Sequence, residues 1–287
     1  MNALLTTALR AAEAASLIHL RHFGSVGVAG AREKTGSDFV SRVDLEAQEA
    51  ALGVIRARHP EHRILAEEEG EEDEEEARVR DWPEDGRPLW IVDPLDGTTN
   101  FLHRHPHFCA SVAVGRRTGK GEGGGAFRGG ILEAGAVVAA RTGERWWASR
   151  DGGAWKNGLP VSVSSSLSLA TALVGTGFPF KAPDLVDTFA EELTRVLPAC
   201  GGVRRCGSAA LDLCYLAEGI LDAFWEEAYL SPWDVAAGVL VVREAGGVVT
   251  RLDGSPLTLE AGGVLGGNSP ELLRALGRLV RDEAKGK

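Results

Sequence analysis

The sequence predicts an α+β fold in which two sheets are sandwiched between helices. Amphipathic helix patterns open and close the chain, and a central block alternates with strand periodicity between glycine-rich turns. The two kinds of segment do not follow the strict strand–helix–strand order of a parallel α/β protein. The 287 residues, 44% hydrophobic and 25% charged, suffice for a sizeable core. We expect one domain over residues 1–287, with subregions of about 1–165 and about 166–287.

Each element has a local signature. Residues 3–23 place Leu5, Leu9, Ala12, Ser16, Leu17 and Leu20 at helical spacing. SVGVAGAREKTGSDFVSRVD reads as short strands and turns. DLEAQEAALGVIRARHP is a second helix, with Asp44 near its start and Pro60 past its end. RILAEEE is a short strand entering an acidic loop, and LWIVD is another strand. DGTTNFL opens a helical turn that Asp96 can cap. SVAVG, AGAVVAA, ERWWAS and AWKNGLPVSV then predict an antiparallel sheet, interrupted by the loop GKGEGGGAFRGG. LATALVGTGF begins the second half. A helix near 183–197, a strand near VRRCG, the helix SAALDLCYLAEG, the strand LDAFWE and the helix WDVAAGVLVVREAGG follow. GVVTRL, GGVLGGN and the helix SPELLRALGRLVRDE, with Pro270 in its first turn, finish the chain.

Net charge is −10, yet nine carboxylates lie in residues 67–76 alone, so the rest is near neutral. No basic stripe suits nucleic acid. No apolar run reaches the ~18 residues of a membrane span, and the first helix lacks the basic start of a signal peptide. Cys109, Cys200, Cys206 and Cys214 form no CxxC pair; core thiols in a cytoplasmic protein are expected.

The stretch WIVDPLDGTTN carries the chemistry. A buried strand ends in Asp93 and Asp96, and Gly97, Thr98 and Thr99 follow at once. Two further places put acids at element ends: Glu67–Glu68 after RILA, and Asp234 in SPWDVAAG. Carboxylates and a backbone carbonyl such as that of Leu95 are the hard oxygen ligands Mg²⁺ prefers. Several such acids in one cleft repel one another unless cations neutralise them. Two ions about 4 Å apart would grip a phosphate and activate water. Gly97, Thr98 and Thr99 lie at a helix N-terminus, where free backbone N–H groups make a ready anion site. HRHPH alternates His103, His105 and His107, but no cysteine or carboxylate adjoins them in sequence, so no zinc site is expected. GEGGG lacks the following lysine and hydroxyl of a nucleotide P-loop.

WIVDPLDGTTNF resembles the first signature of the inositol monophosphatase family, and PWDVAAGVLVVREAGG resembles the second, at the expected order and separation. AEEE is similar to the family's GEE segment, and the likeness spans roughly residues 1–280. The resemblance implies a layered αβαβα sandwich of sugar-phosphatase type and a Mg²⁺-dependent, lithium-sensitive, homodimeric phosphomonoesterase. It would use two or three Mg²⁺ ions, with Mn²⁺ able to replace them. By position, Glu68, Asp93, the Leu95 carbonyl, Asp96 and Asp234 would be metal ligands. Glu68 and Asp93 would serve one ion; Asp93, Asp96 and Asp234 would serve the second. Thr98 and Asp44 would orient or deprotonate water, and Lys34 matches a mobile lysine loop. Gly207, Ser208 and Ala209 would sit against the polyol.

Three departures leave alternatives open. Matching FWE selects Glu226 as the acid that binds polyol hydroxyls, whereas counting back from Asp234 selects Glu227; Glu226 is preferred. Glu67 or Glu69 could replace Glu68 as ligand. The loop TGKGEGGGAFRGGILEAG is longer than the usual hairpin connection and has no assigned role. The expected substrate is a small polyol phosphate, foremost inositol 1-phosphate. Fructose 1,6-bisphosphate, histidinol phosphate, 3′-nucleotides and NADP are rivals of the same chemistry. A role as a protein partner in transcription or RNA processing is the alternative of another class.

Overall fold

The computed structural model describes residues 2–28, 32–35, 38–68, 82–118, 127–166, 168–180, 182–260 and 262–281. The side chain of Lys34, the acidic run from Glu69 onward and the glycine-rich loop 119–126 lie outside the described residues.

Five layers stack in the order helix, sheet, helix, sheet, helix. The outer pair is α1 (Ala3–His22) and α2 (Arg42–Arg58). Asn2 caps α1 by accepting from the Leu5 N–H at 2.7 Å. Small residues on the inner faces, among them Ala8, Ala12, Ala15, Ala47 and Ala51, let both helices lie close on the first sheet. They pack there against Trp90, Val92, Val112, Val114, Ala136 and Val138.

That sheet has seven strands: β3 (Arg63–Ala66), β4 (Leu89–Asp96), β5 (Cys109–Arg117), β6 (Gly130–Ala139), β7 (Glu144–Ser149), β8 (Ala154–Lys156) and β9 (Leu159–Val161). From β4 to β9 the pairing is antiparallel, as the alternating pattern predicts, while β3 joins β4 in parallel. Ahead of this sheet, β1 (Arg32–Thr35) and β2 (Asp38–Val40) form a small hairpin.

The sheet's other face, with Ile91, Ala113, Val137 and Trp146, meets the central helices α5 (Ala209–Ala217) and α6 (Pro232–Glu244). These helices also cover one face of a five-stranded sheet. It comprises β10 (Leu173–Thr176), β11 (Gly202–Arg204), β12 (Ala223–Leu230), β13 (Val248–Arg251) and β14 (Gly262–Gly267), in the order β11-β10-β12-β14-β13. Its far face is closed by α4 (Val186–Val196) and α7 (Pro270–Val280) through Phe189, Trp225, Leu265, Leu272 and Leu276. Most residues of α5 and α6 are apolar and buried because both sides are covered. The αβαβα sandwich expected from the sequence is the fold observed.

Two local expectations change. The helix expected over about 183–197 divides into a 3₁₀ turn, α4 and a second 3₁₀ turn containing Pro198. Asp96 does not cap the turn α3 (Thr98–Leu102): Gly97 holds that position with φ +90°, and Asp96 is the last residue of β4. All four cysteines are free; Cys109 and Cys214 are buried, while Cys200 and Cys206 are partly exposed rather than in the core. No helix among the described residues is long and apolar enough to cross a membrane.

Candidate metal and phosphate site

The site is built at the end of β4. Residues three apart on a regular strand point to opposite faces. Between Asp93 and Asp96 the register with β5 shifts: Asp93 opposes Ser111, whereas Asp96 opposes Cys109. One extra residue is absorbed there as a bulge, which turns both carboxylates toward one cavity. The Asp93 carboxylate accepts from the Leu95 N–H at 3.0 Å, and His19, buried beneath, meets the Pro94 carbonyl oxygen through Nε2 at 2.8 Å. Burial pulls the His19 pKa down to about 4, so this brace is a neutral imidazole at pH 7.

The cavity has a volume of about 330 Å³ and is lined by Glu67, Asp93, Leu95, Asp96 and Asp234 on its acidic side. Asp234 arrives on the first turn of α6, where its Oδ2 accepts from the Ser231 N–H at 2.6 Å. Asp44 repeats the device on α2, its Oδ2 accepting from the Ser41 N–H at 2.8 Å and the Ser41 hydroxyl at 2.7 Å. Each is the third residue of a capping box, so helix initiation and carboxylate placement come from the same bonds. The free Oδ1 of Asp44 accepts from the Thr98 hydroxyl at 2.9 Å, and that hydroxyl is 3.0 Å from the Leu95 carbonyl oxygen.

Electrostatics single out this cluster. Burial, then the charges of Glu67, Asp96 and Asp234, push the Asp93 carboxyl well above the usual range. Asp96 is raised to about 7 by burial and by Asp234, against the pull of the Ser208 hydroxyl and the Ala210 N–H. Those donors grip its Oδ2 at 2.5 and 2.8 Å. Burial also raises Asp44. The donors gathered around Asp93 and Asp96 are oxygens in a concave site, and Arg205 is the one lysine or arginine among the described lining residues against the acids there. Such a set fits hard divalent cations of the Mg²⁺ type.

Gly97, Thr98, Gly207, Ser208 and Ala209 also line the cavity. A Cβ on Gly97 would stand 3.0 Å from the His107 carbonyl oxygen and 3.3 Å from that of Gly207, so the positive φ and the close approach both require glycine. Glu226 projects from β12 into the cavity and accepts from the Tyr229 hydroxyl at 3.0 Å. Burial raises its carboxyl to about 8. A side chain at Gly177 would collide with that carboxylate. Glu227 does not line the cavity and acts instead on buried Glu192. The extra length of FWEEAYLSPWD is taken up by a register shift between Glu226 and Leu230 against β14.

The Glu67/Glu68 alternative left open by the sequence can be placed in part. Glu67 lines the cavity and acts on Asp93. Backbone pairing runs Ala66 to Val92 and Glu67 N–H to the Val92 carbonyl, which brings Glu67 alongside Asp93. The next residue is held through its backbone, the Glu68 N–H donating to Gln48 Oε1 at 3.0 Å. Phe178, Phe180 and Arg205 also line the cavity, the guanidinium lying 5.3 and 5.0 Å from the two ring centres. Sequence reasoning passed over them; the signal was two aromatics in GFPF, a polar-site loop with no core face to fill.

A profile described as the inositol monophosphatase family matches residues 1–285. A Nus factor SuhB of Pseudomonas aeruginosa is 39% identical over 271 residues, 94% of this chain and 93% of its own length. The structure of an inositol monophosphatase from Anabaena (Nostoc) superposes with a TM-score of 0.76 at 32% identity, covering 97% of this chain and 95% of that one. An extragenic suppressor protein suhB from Bartonella henselae superposes with a TM-score of 0.81 at 31% identity, covering 98% and 99%.

Proposed function

The chain belongs to the inositol monophosphatase family, and from that premise we propose that it is a Mg²⁺-dependent phosphomonoesterase acting on a small polyol phosphate, foremost inositol 1-phosphate. Membership supports a metal-dependent phosphatase; the substrate, the ion, lithium sensitivity, the homodimer and a cytoplasmic location are our reading. So is a single working domain over the whole chain. The observation that carries the proposal is the convergence of Glu67, Asp93, Asp96 and Asp234 on one cavity with the Thr98–Asp44 pair at its edge.

Glu67, Asp93, the Leu95 carbonyl, Asp96 and Asp234 would hold two or three ions, with Glu67 in the place first given to Glu68. Bound Mg²⁺ would neutralise these acids and stabilise charge on the phosphoryl and leaving oxygens. The Thr98 hydroxyl orients a water for in-line attack, and Asp44 accepts the proton through that hydroxyl. The backbone at Gly97 and Thr98 faces the phosphate. Ser208 and Ala210 fix Asp96 so that its second oxygen is held in place. Gly207, Ser208, Ala209 and Glu226 border the polyol.

Glu226 favours hydroxyl-bearing substrates and disfavours a second phosphate, but Arg205 offers a positive charge in the same cavity. Fructose 1,6-bisphosphate and NADP therefore stay among the substrates to assay, with histidinol phosphate and 3′-nucleotides. A phosphate-release panel over these compounds with Mg²⁺, with and without Li⁺, tests the reading. Fastest release from inositol 1-phosphate, inhibited by Li⁺, is expected; no release from any compound would end it.

Relatives bearing the name Nus factor favour a second reading, a partner in a transcription complex. The acidic balance argues against direct nucleic-acid contact. Capture of only background proteins by the whole chain and by a 69–76 deletion alike would remove this second reading.

A further inference from the structure

A cluster of different chemistry lies behind the cavity wall. His107, just before β5, Cys206, in the loop after β11, and Asp212, on the first turn of α5, each bring one ligand atom to within 4.8 Å of the others. The HRHPH segment has no cysteine or acid beside it in sequence; the fold supplies both from about a hundred residues away. The His107 and Asp212 side chains are 11% and 2% exposed. Nε2 of His107 faces Oδ1 of Asp212 at 3.5 Å, and neither atom makes a hydrogen bond among the described residues.

The two buried atoms form an ion-pair contact at 3.5 Å, longer than an ordinary hydrogen bond, and that spacing calls for a reason. A simple imidazolium–carboxylate pair would close to about 2.7–2.9 Å. A tetrahedral ion with nitrogen and oxygen donors at about 2.0–2.2 Å instead holds them about 3.4 Å apart, close to the spacing found. The third corner is a thiol, and a nitrogen, sulfur and oxygen set selects softer ions than the all-oxygen set of the main cavity. The His107 ring is packed 5.6 Å from Tyr215 and 6.3 Å from His105, which limits its rotation. Burial raises the Asp212 carboxyl and, with the Asp212 charge beside it, pushes the Cys206 thiol up to about 11, while Arg205 pulls both the other way; a bound cation would draw out the anionic forms that ligate. The same guanidinium repels a cation, so affinity below that of a closed four-ligand site is expected.

We propose that His107, Cys206 and Asp212 form a second metal site, for a soft divalent ion of the Zn²⁺ class, with three protein ligands and one open position. Asp212 also lines the main cavity, so an ion held here sits in the wall of the phosphate site.

The test is spectroscopic and independent of turnover. Metal-free full-length protein is titrated with Co²⁺ in saturating Mg²⁺. One Co²⁺ per chain should bind with a near-ultraviolet thiolate-to-cobalt charge-transfer band, and Zn²⁺ should displace it. Cys206→Ser should abolish the band. Cys109→Ser should keep it, a necessary control because the Cys109 thiol lies 3.9 Å from Asp96. His107→Gln should weaken Co²⁺ binding at least about tenfold. A wild-type protein that gives no such band, or a band that survives Cys206→Ser, overturns the proposal. The wild-type titration decides even where a variant fails to fold.

Discussion

The Thr98 hydroxyl donates to Oδ1 of Asp44 across 54 positions of sequence, at 2.9 Å. The bond ties the turn after β4 to the first turn of α2, and the proposed proton path rests on it. Asp44→Asn retains an oxygen for the capping box, so thermal stability should change little while kcat falls about 10²–10⁴-fold. Thr98→Ser should keep much of the activity and Thr98→Val should not. Steady-state kinetics beside a melting curve separate the two effects; wild-type kcat in Asp44→Asn would take the pair out of the reaction.

Asp93 is the most constrained acid of the cluster, buried at 1% exposure and pressed by three neighbouring charges. Asp93→Asn removes one of those charges and keeps an acceptor for the Leu95 N–H. In metal-free protein it should melt at or above the wild-type temperature, yet lose orders of magnitude in turnover. Mg²⁺ at about 100 times its Kd should stabilise the wild type by about 2.7 kcal/mol, and the variant by less. A variant less stable than wild type without metal would show that repulsion does not dominate here.

Glu67 and Glu68 can be told apart by titration. Glu67→Gln should raise the Mg²⁺ concentration needed for half-maximal activity about tenfold or more, whereas Glu68→Gln should shift it little. The reverse result would restore the assignment made from sequence.

The neighbouring pair on β12 divides in the same way. Glu226 faces the cavity and Glu227 faces Glu192. Glu226→Gln should alter KM and the ranking of polyol phosphates; Glu227→Gln should leave both and change stability alone. Equal effects on KM from both variants would argue against the division.

Glu192 accepts from the Trp225 indole N–H at 3.0 Å, and burial with Glu227 nearby raises its carboxyl to about 9. A carboxyl raised on folding contributes stability that is whole below its ordinary pKa near 4.5 and is lost as pH rises through about 9. Melting temperature should therefore fall between about pH 5 and 9, and Glu192→Gln should flatten that fall. An unchanged slope in the variant would assign the loss to other groups.

How much was legible follows from the range of each interaction. Helices α1, α2, α6 and α7 were readable because periodicity and caps are local. Asp93, Asp96, Gly97 and Thr98 were readable because they share one turn. The place of Glu67 alongside Asp93 was not, since it depends on the register of β3 against β4. Nor were Arg205 and Phe178, which meet the cavity only after β10 and β11 pair.

By itself, then, the sequence determined the element order, the layered class and the acids at strand ends and helix starts, all set by contacts within a few residues. Tertiary structure decided which oxygen faces which: the bulge that aligns Asp93 with Asp96, the Ser208 grip on Asp96, and the approach of Cys206 and Asp212 to His107. Those outcomes depend on strand register and on helices docking from distant parts of the chain, where a shift of one residue turns a side chain to the opposite face.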